Sequence, residues 1–71
     1  MNAQLTRNAG RMTVFPTKEH AGAFLRRTDI YRLFIDSQTK PQISERHNGG
    51  WCLAAINPHG KVHGFLQVPG V

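Results

Sequence analysis

The tetrapeptide Asn57-Pro58-His59-Gly60 constrains this chain more than any other feature. It stands between two apolar runs, residues 51–56 (WCLAAI) and 62–68 (VHGFLQV). Pro58 suits the second position of a type I turn, because its ring presets the backbone angle needed there. Gly60 suits the left-handed position that follows and makes a G1 bulge. Such a three-residue loop pairs Asn57 with Lys61. The ladder then predicts Ile56 opposite Val62, Ala54 opposite Gly64 and Leu53 opposite Phe65.

A second turn, His47-Asn48-Gly49-Gly50, supplies an independent register. Asn-Gly is the preferred central pair of a two-residue type I′ hairpin. It predicts Arg46 opposite Trp51, Ser44 opposite Leu53 and Ile43 opposite Ala54. Because strand side chains alternate, the two registers together sort the residues into faces. One face carries Cys52, Ala54, Ile56, Val62, Gly64 and Leu66, with Ile43 beside them and Glu45 as a polar misfit at the rim. The other carries Trp51, Leu53, Ala55, His63, Phe65 and Gln67.

Upstream, residues 13–15 are β-branched and aromatic, and Pro16 ends them, so a short first strand is expected. Thr17 reads as a helix N-cap, with Glu19 in the first turn, where negative charge is favoured. Ala21, Phe24 and Leu25 share a helical face, and Arg26 and Arg27 suit a helix C-terminus. These signals predict one helix over residues 17–27, weakened by Gly22. Residues 30–36 (IYRLFID) alternate as a strand does, which would send Tyr31, Leu33 and Ile35 to the core and Arg32 and Phe34 to the opposite face. A polar strand over 42–47 completes a β-α-β-β-β order. The fold class expected is α+β, with one helix packed on one face of a mostly antiparallel sheet.

Residues 1–11 show no periodicity and read as a mobile N-terminal tail. Residues 12–71 then form one small domain, and Met12 is an alternative start. A chain of 71 residues carries a small core, so a partner or a second copy would be a natural source of added stability. No run approaches the ~18 apolar residues of a membrane span, so no membrane association is expected. One cysteine cannot form an internal disulfide, which favours a reducing, cytoplasmic setting.

The formal net charge is +5, which favours association with polyanions or with an acidic protein surface. On the expected registers, the second sheet face gathers Arg32, Phe34, Arg46, Trp51, His63 and Phe65, with Lys61 at its turn. Aromatic rings interleaved with cations on a sheet can stack bases and hold phosphates. The same composition serves protein interfaces, and plain packing under the N-terminal segment is a third reading. Lys18, Arg26 and Arg27 form a secondary basic patch.

Other chemistry finds little support. His47, Cys52, His59 and His63 have metal-ligand types, but their spacing matches no standard zinc site. Cys52 lies on an expected apolar face, where a thiol is a poor nucleophile. Gly49, Gly50 and Gly60 are explained by turns and match no phosphate-loop motif. The four carboxylates show no acid/base pairing. No catalytic residue, metal or cofactor is therefore expected.

The expected function is that of a small basic, non-enzymatic module that contacts nucleic acid or a nucleoprotein complex through the aromatic and basic face. The alternative is a protein-binding inhibitor or adaptor that blocks a partner's functional surface, with a homodimer as one form of it. In size, charge and lack of catalytic motifs the chain resembles accessory proteins of phages and other mobile elements.

Overall fold

The computed structural model describes residues 3–70; Met1, Asn2 and Val71 lie outside it. It is an α+β arrangement of two helices and one antiparallel sheet. The elements run β1 (Gln4–Thr6), a single 3-10 turn (Ala9–Arg11), α1 (Lys18–Leu25), α2 (Thr28–Asp36), β2 (Lys40–Glu45), β3 (Trp51–Ile56) and β4 (Val62–Gln67). The strand order across the sheet is β1-β4-β3-β2. No helix among the described residues is long and apolar enough to cross a membrane.

Helix α1 begins where the sequence places it. The Thr17 hydroxyl accepts from the His20 backbone N–H at 3.0 Å, satisfying one of the otherwise unpaired first-turn donors. It ends at Leu25, short of the expected residue 27, because a second helix starts at Thr28. The expected strand over 30–36 is α2 instead. Ile30 and Phe34, four residues apart, are both fully buried, and Leu33 packs beside them. The spacing is helical, and it overrides the strand preference of the individual residues. Tyr31 and Ile35, expected in the core, are therefore exposed, at 47% and 58%. Phe34, expected on a binding face, is at the centre of the core.

The hairpins share one turn geometry. In the second, the Asn57 N–H donates to Lys61 O at 2.8 Å and the Gly60 N–H to Asn57 O at 2.9 Å, with Gly60 at φ +82°. In the first, the Arg46 N–H donates to Gly50 O at 2.7 Å and the Gly49 N–H to Arg46 O at 3.1 Å, with Gly49 at φ +86°. Both are three-residue loops closing on a left-handed glycine. The two-residue turn expected at Asn48-Gly49 is thus one residue longer. Its register moves by one: Glu45 faces Trp51, Ser44 faces Cys52 and Ile43 faces Leu53. A second shift lies in the β3–β4 pair. Ile56 faces Val62 as expected, but Ala55 faces Gly64 and Ala54 faces Phe65, so His63 is the extra residue of a β-bulge.

One-residue shifts exchange faces. The helix-covered face carries Leu53, Ala55 and Leu66, against which Leu5, Ile43 and Trp51 also pack. This reverses the expected sorting of β3, whereas Gly64 and Leu66 lie where expected. Cys52 and Ala54 project to the opposite face, yet both are 97% covered by their surroundings in a central strand, being 3% exposed.

The segment before α1 completes the sheet. Phe15 exchanges two backbone hydrogen bonds with Trp51, at 2.7 and 2.9 Å, in an isolated antiparallel bridge. The Thr13 N–H donates to Leu66 O at 2.9 Å, and the Thr13 hydroxyl accepts from the Val68 N–H at 2.6 Å. Residues 13–15 thus contribute bridging bonds rather than the full strand expected. Within the stretch read as a tail, Gln4–Thr6 pairs along β4, with Leu5 opposite Leu66. Pro41, which lacks an N–H, lies in the edge strand β2, and it limits further strand addition there.

Two substitutions test this packing. Phe34→Ala should destabilise the fold by about 3–5 kcal/mol, the usual cost of deleting a buried aromatic ring. A Cβ added at Gly64 would meet the Thr6 carbonyl oxygen at 2.9 Å, so Gly64→Ala should cost about 1–3 kcal/mol. Urea denaturation of both variants measures these losses; a Phe34→Ala midpoint equal to wild type would place Phe34 outside the core.

Candidate basic concavity at the β1–β4 edge

The candidate site forms where β1 ends beside the start of β4. Arg7, Asn57, Lys61, Val62, His63, Gly64 and Phe65 line a concavity of about 420 Å³. Each is placed by a feature already described. Antiparallel pairing sets Thr6 opposite Phe65 and so brings Arg7 alongside β4. The turn positions Lys61, and the Asn57 side chain braces that turn by accepting from the His59 and Lys61 N–H groups, each at 3.0 Å. The bulge supplies His63. A bulged residue escapes strict alternation, so its side chain can be aimed away from the regular ladder.

The lining holds an arginine, a lysine and a histidine and no carboxylate. Arg7 and Lys61 are exposed, whereas His63 and Phe65 are half-buried. The potential at this surface is therefore positive, and part of the Phe65 side chain remains accessible beside it. The arrangement can hold anionic oxygens and offer an apolar ring beside them.

Of the face expected from sequence, Lys61, His63 and Phe65 come together. Arg32 and Phe34 lie on α2, the former exposed and the latter in the core. Trp51 packs against the core beside Phe15. Arg46 lies at the first hairpin, where its guanidinium reaches the Met12 sulfur at 3.0 Å and its Nε is buried without a partner among the described residues. The secondary patch divides as well. Lys18 opens α1, while Arg26 and Arg27 lie beyond its other end. Arg27 donates twice to Asp29, at 2.8 and 3.2 Å, and these bonds hold the Asp29 carboxyl below its usual 3.8. Arg7 was missed, because a three-residue strand leaves almost no periodic signal.

Among the described residues no three His, Cys, Asp or Glu side chains gather as a metal would require. No family model matches the chain, and no curated protein or solved structure shows significant similarity to it.

Cys52 provides a check on the sheet. Burial pushes its thiol above the ordinary 9.0, and the Arg46 charge offsets only part of that rise. The folded protein should react slowly with a thiol reagent at neutral pH and rapidly once unfolded. The raised value also carries a sign. Its contribution to stability is complete below pH 9.0 and is lost as pH rises through the folded value, because the unfolded thiol ionises first. Thermal melts across this range should show the decline in wild type and a shallower one in Cys52→Ala.

Proposed function

We infer that this protein is a nucleic-acid-binding module that works through the concavity of Arg7, Lys61, His63 and Phe65. The observation that carries this reading is the β-bulge, which brings His63 into a carboxylate-free surface flanked by two cations. Arg7 and Lys61 would contact phosphates, His63 would donate or accept a hydrogen bond, and Phe65 would lie against a base or sugar. The net charge of +5 supports the same partner class through long-range attraction.

This site is narrower than the seven-residue sheet face expected from sequence, and it does not use Arg32, Phe34, Arg46 or Trp51. The competing reading is an inhibitor or adaptor whose cations meet an acidic protein surface. The two part ways on naked nucleic acid, which the second has no reason to bind.

Fluorescence anisotropy with labelled duplex DNA, single-stranded DNA and RNA at two salt concentrations tests the proposal. Wild type should bind with affinity that falls steeply with salt. Combining Arg7→Ala with Lys61→Ala should flatten the log–log slope by roughly 1.4–1.8, as expected for two lost phosphate contacts. Phe65→Ala should weaken single strands more than duplex, by about 1–3 kcal/mol if a base stacks on the ring. No binding at low salt, or an unchanged slope in the double variant, would overturn the assignment.

A further inference from the structure

A second surface lies on the helical layer and has a different chemistry. Helix α2 presents two neighbouring stripes. Ile30 and Phe34 face inward and are fully enclosed, while Tyr31 and Ile35, one position further on, face outward. Both outward residues keep about half of their surface in water, at 47% and 58%. They are adjacent by helical spacing and so form one continuous patch. With Leu25 at the end of α1 they line a shallow notch at the α1–α2 junction, whose rim includes Arg26 and Arg32.

The charges on this rim are unbalanced. Arg32 has carboxylates at helical spacing on both sides, Asp29 three residues before and Asp36 four residues after. It forms an ion pair with neither. Asp29 is engaged by Arg27 through two hydrogen bonds. Arg26 likewise has no ion-pair partner among the described residues. An apolar floor between two guanidinium groups that hold no ion pair, in a lining without carboxylates, is complementary to acidic residues flanking a bulky apolar one.

We propose that the α1–α2 notch docks an acidic peptide segment of a partner protein, with one bulky apolar side chain seated on Tyr31 and Ile35 and flanking carboxylates on Arg26 and Arg32. A second copy of this chain fits less well. A two-fold axis through the notch would set the same lining, which holds arginines and no carboxylate, against itself. The notch shares no residue with the concavity at the β1–β4 edge, so the two proposals stand or fall separately.

The test is selection from a randomised peptide library displayed on phage, with wild-type protein as bait and Ile35→Glu for counter-selection. Enriched peptides should carry carboxylates on both sides of a Leu, Phe or Trp. A synthetic peptide of the enriched sequence, followed by fluorescence polarisation, should lose about tenfold or more in affinity against Ile35→Glu or Arg32→Glu. It should bind Lys61→Glu as it binds wild type. Tyr31, Ile35 and Arg32 are exposed, so the variants should retain the wild-type circular dichroism and melting temperature. Absence of enrichment, enriched peptides without acidic residues, or equal affinity for the variants would overturn the proposal. So would a concentration-dependent dimer, seen by analytical ultracentrifugation, that Ile35→Glu dissolves, since a second copy would then occupy the notch.

Discussion

Phe15 is the residue on which the three parts of this fold converge. Its backbone exchanges hydrogen bonds with Trp51 and so ties the N-terminal segment to the first residue of β3. Its side chain is fully buried, with ring centroids 5.0 Å from Phe24 and 5.7 Å from His20, both on α1. Pro16 and the Thr17 cap follow at once and set where α1 starts. Sheet, entering segment and first helix are thereby fixed relative to one another by a single residue. In a chain of 71 residues, where Phe15, Phe34, Ile30, Leu53 and Leu66 are the largest fully enclosed side chains among the described residues, such a junction matters more than it would in a bigger core.

What the sequence made legible was local chemistry with a steric cause. The Thr17 cap and the Asn57–Lys61 turn follow from side-chain oxygens, a proline ring and a glycine, and each lies where those groups require. β3 and the extent of β4 follow from apolar runs between turns. Two readings failed for a common reason. Residues 30–36 satisfy both a two-residue and a 3.6-residue period, since Ile30, Leu33 and Phe34 fit a helix as well as Tyr31, Leu33 and Ile35 fit a strand. Only packing against Leu53 and Leu66 decides between them. At Asn48-Gly49, the pair most typical of a two-residue turn sits in a longer loop, because Gly49 alone takes the left-handed position.

The errors in the expected site are consequences of those two readings and of the bulge. A register moved by one residue turns Leu53 and Ala55 inward and Cys52 and Ala54 outward. A strand replaced by a helix takes Phe34 into the core. Lys61, His63 and Phe65 survive as neighbours because they belong to one short stretch beside a turn that was read correctly. Arg7 reaches them only through the long-range pairing of Thr6 with Phe65, which no local pattern encodes.

Charge is distributed unevenly over this frame, and the unevenness separates the two surfaces. Three of the four carboxylates, Glu19, Asp29 and Asp36, are on the helices, and Glu45 ends β2. The β1–β4 edge is left with cations alone, so its field is set by Arg7 and Lys61 without local compensation. The helical layer carries both signs; Arg27 pairs with Asp29, and Arg32 forms an ion pair with neither Asp29 nor Asp36. The first surface is polar and concave and includes the bulge, whereas the second is apolar and lies on an exposed helix stripe. The proposed polyanion would draw on the former and the proposed acidic segment on the latter. The two surfaces share no lining residue, so the two proposed ligands would not compete for the same side chains.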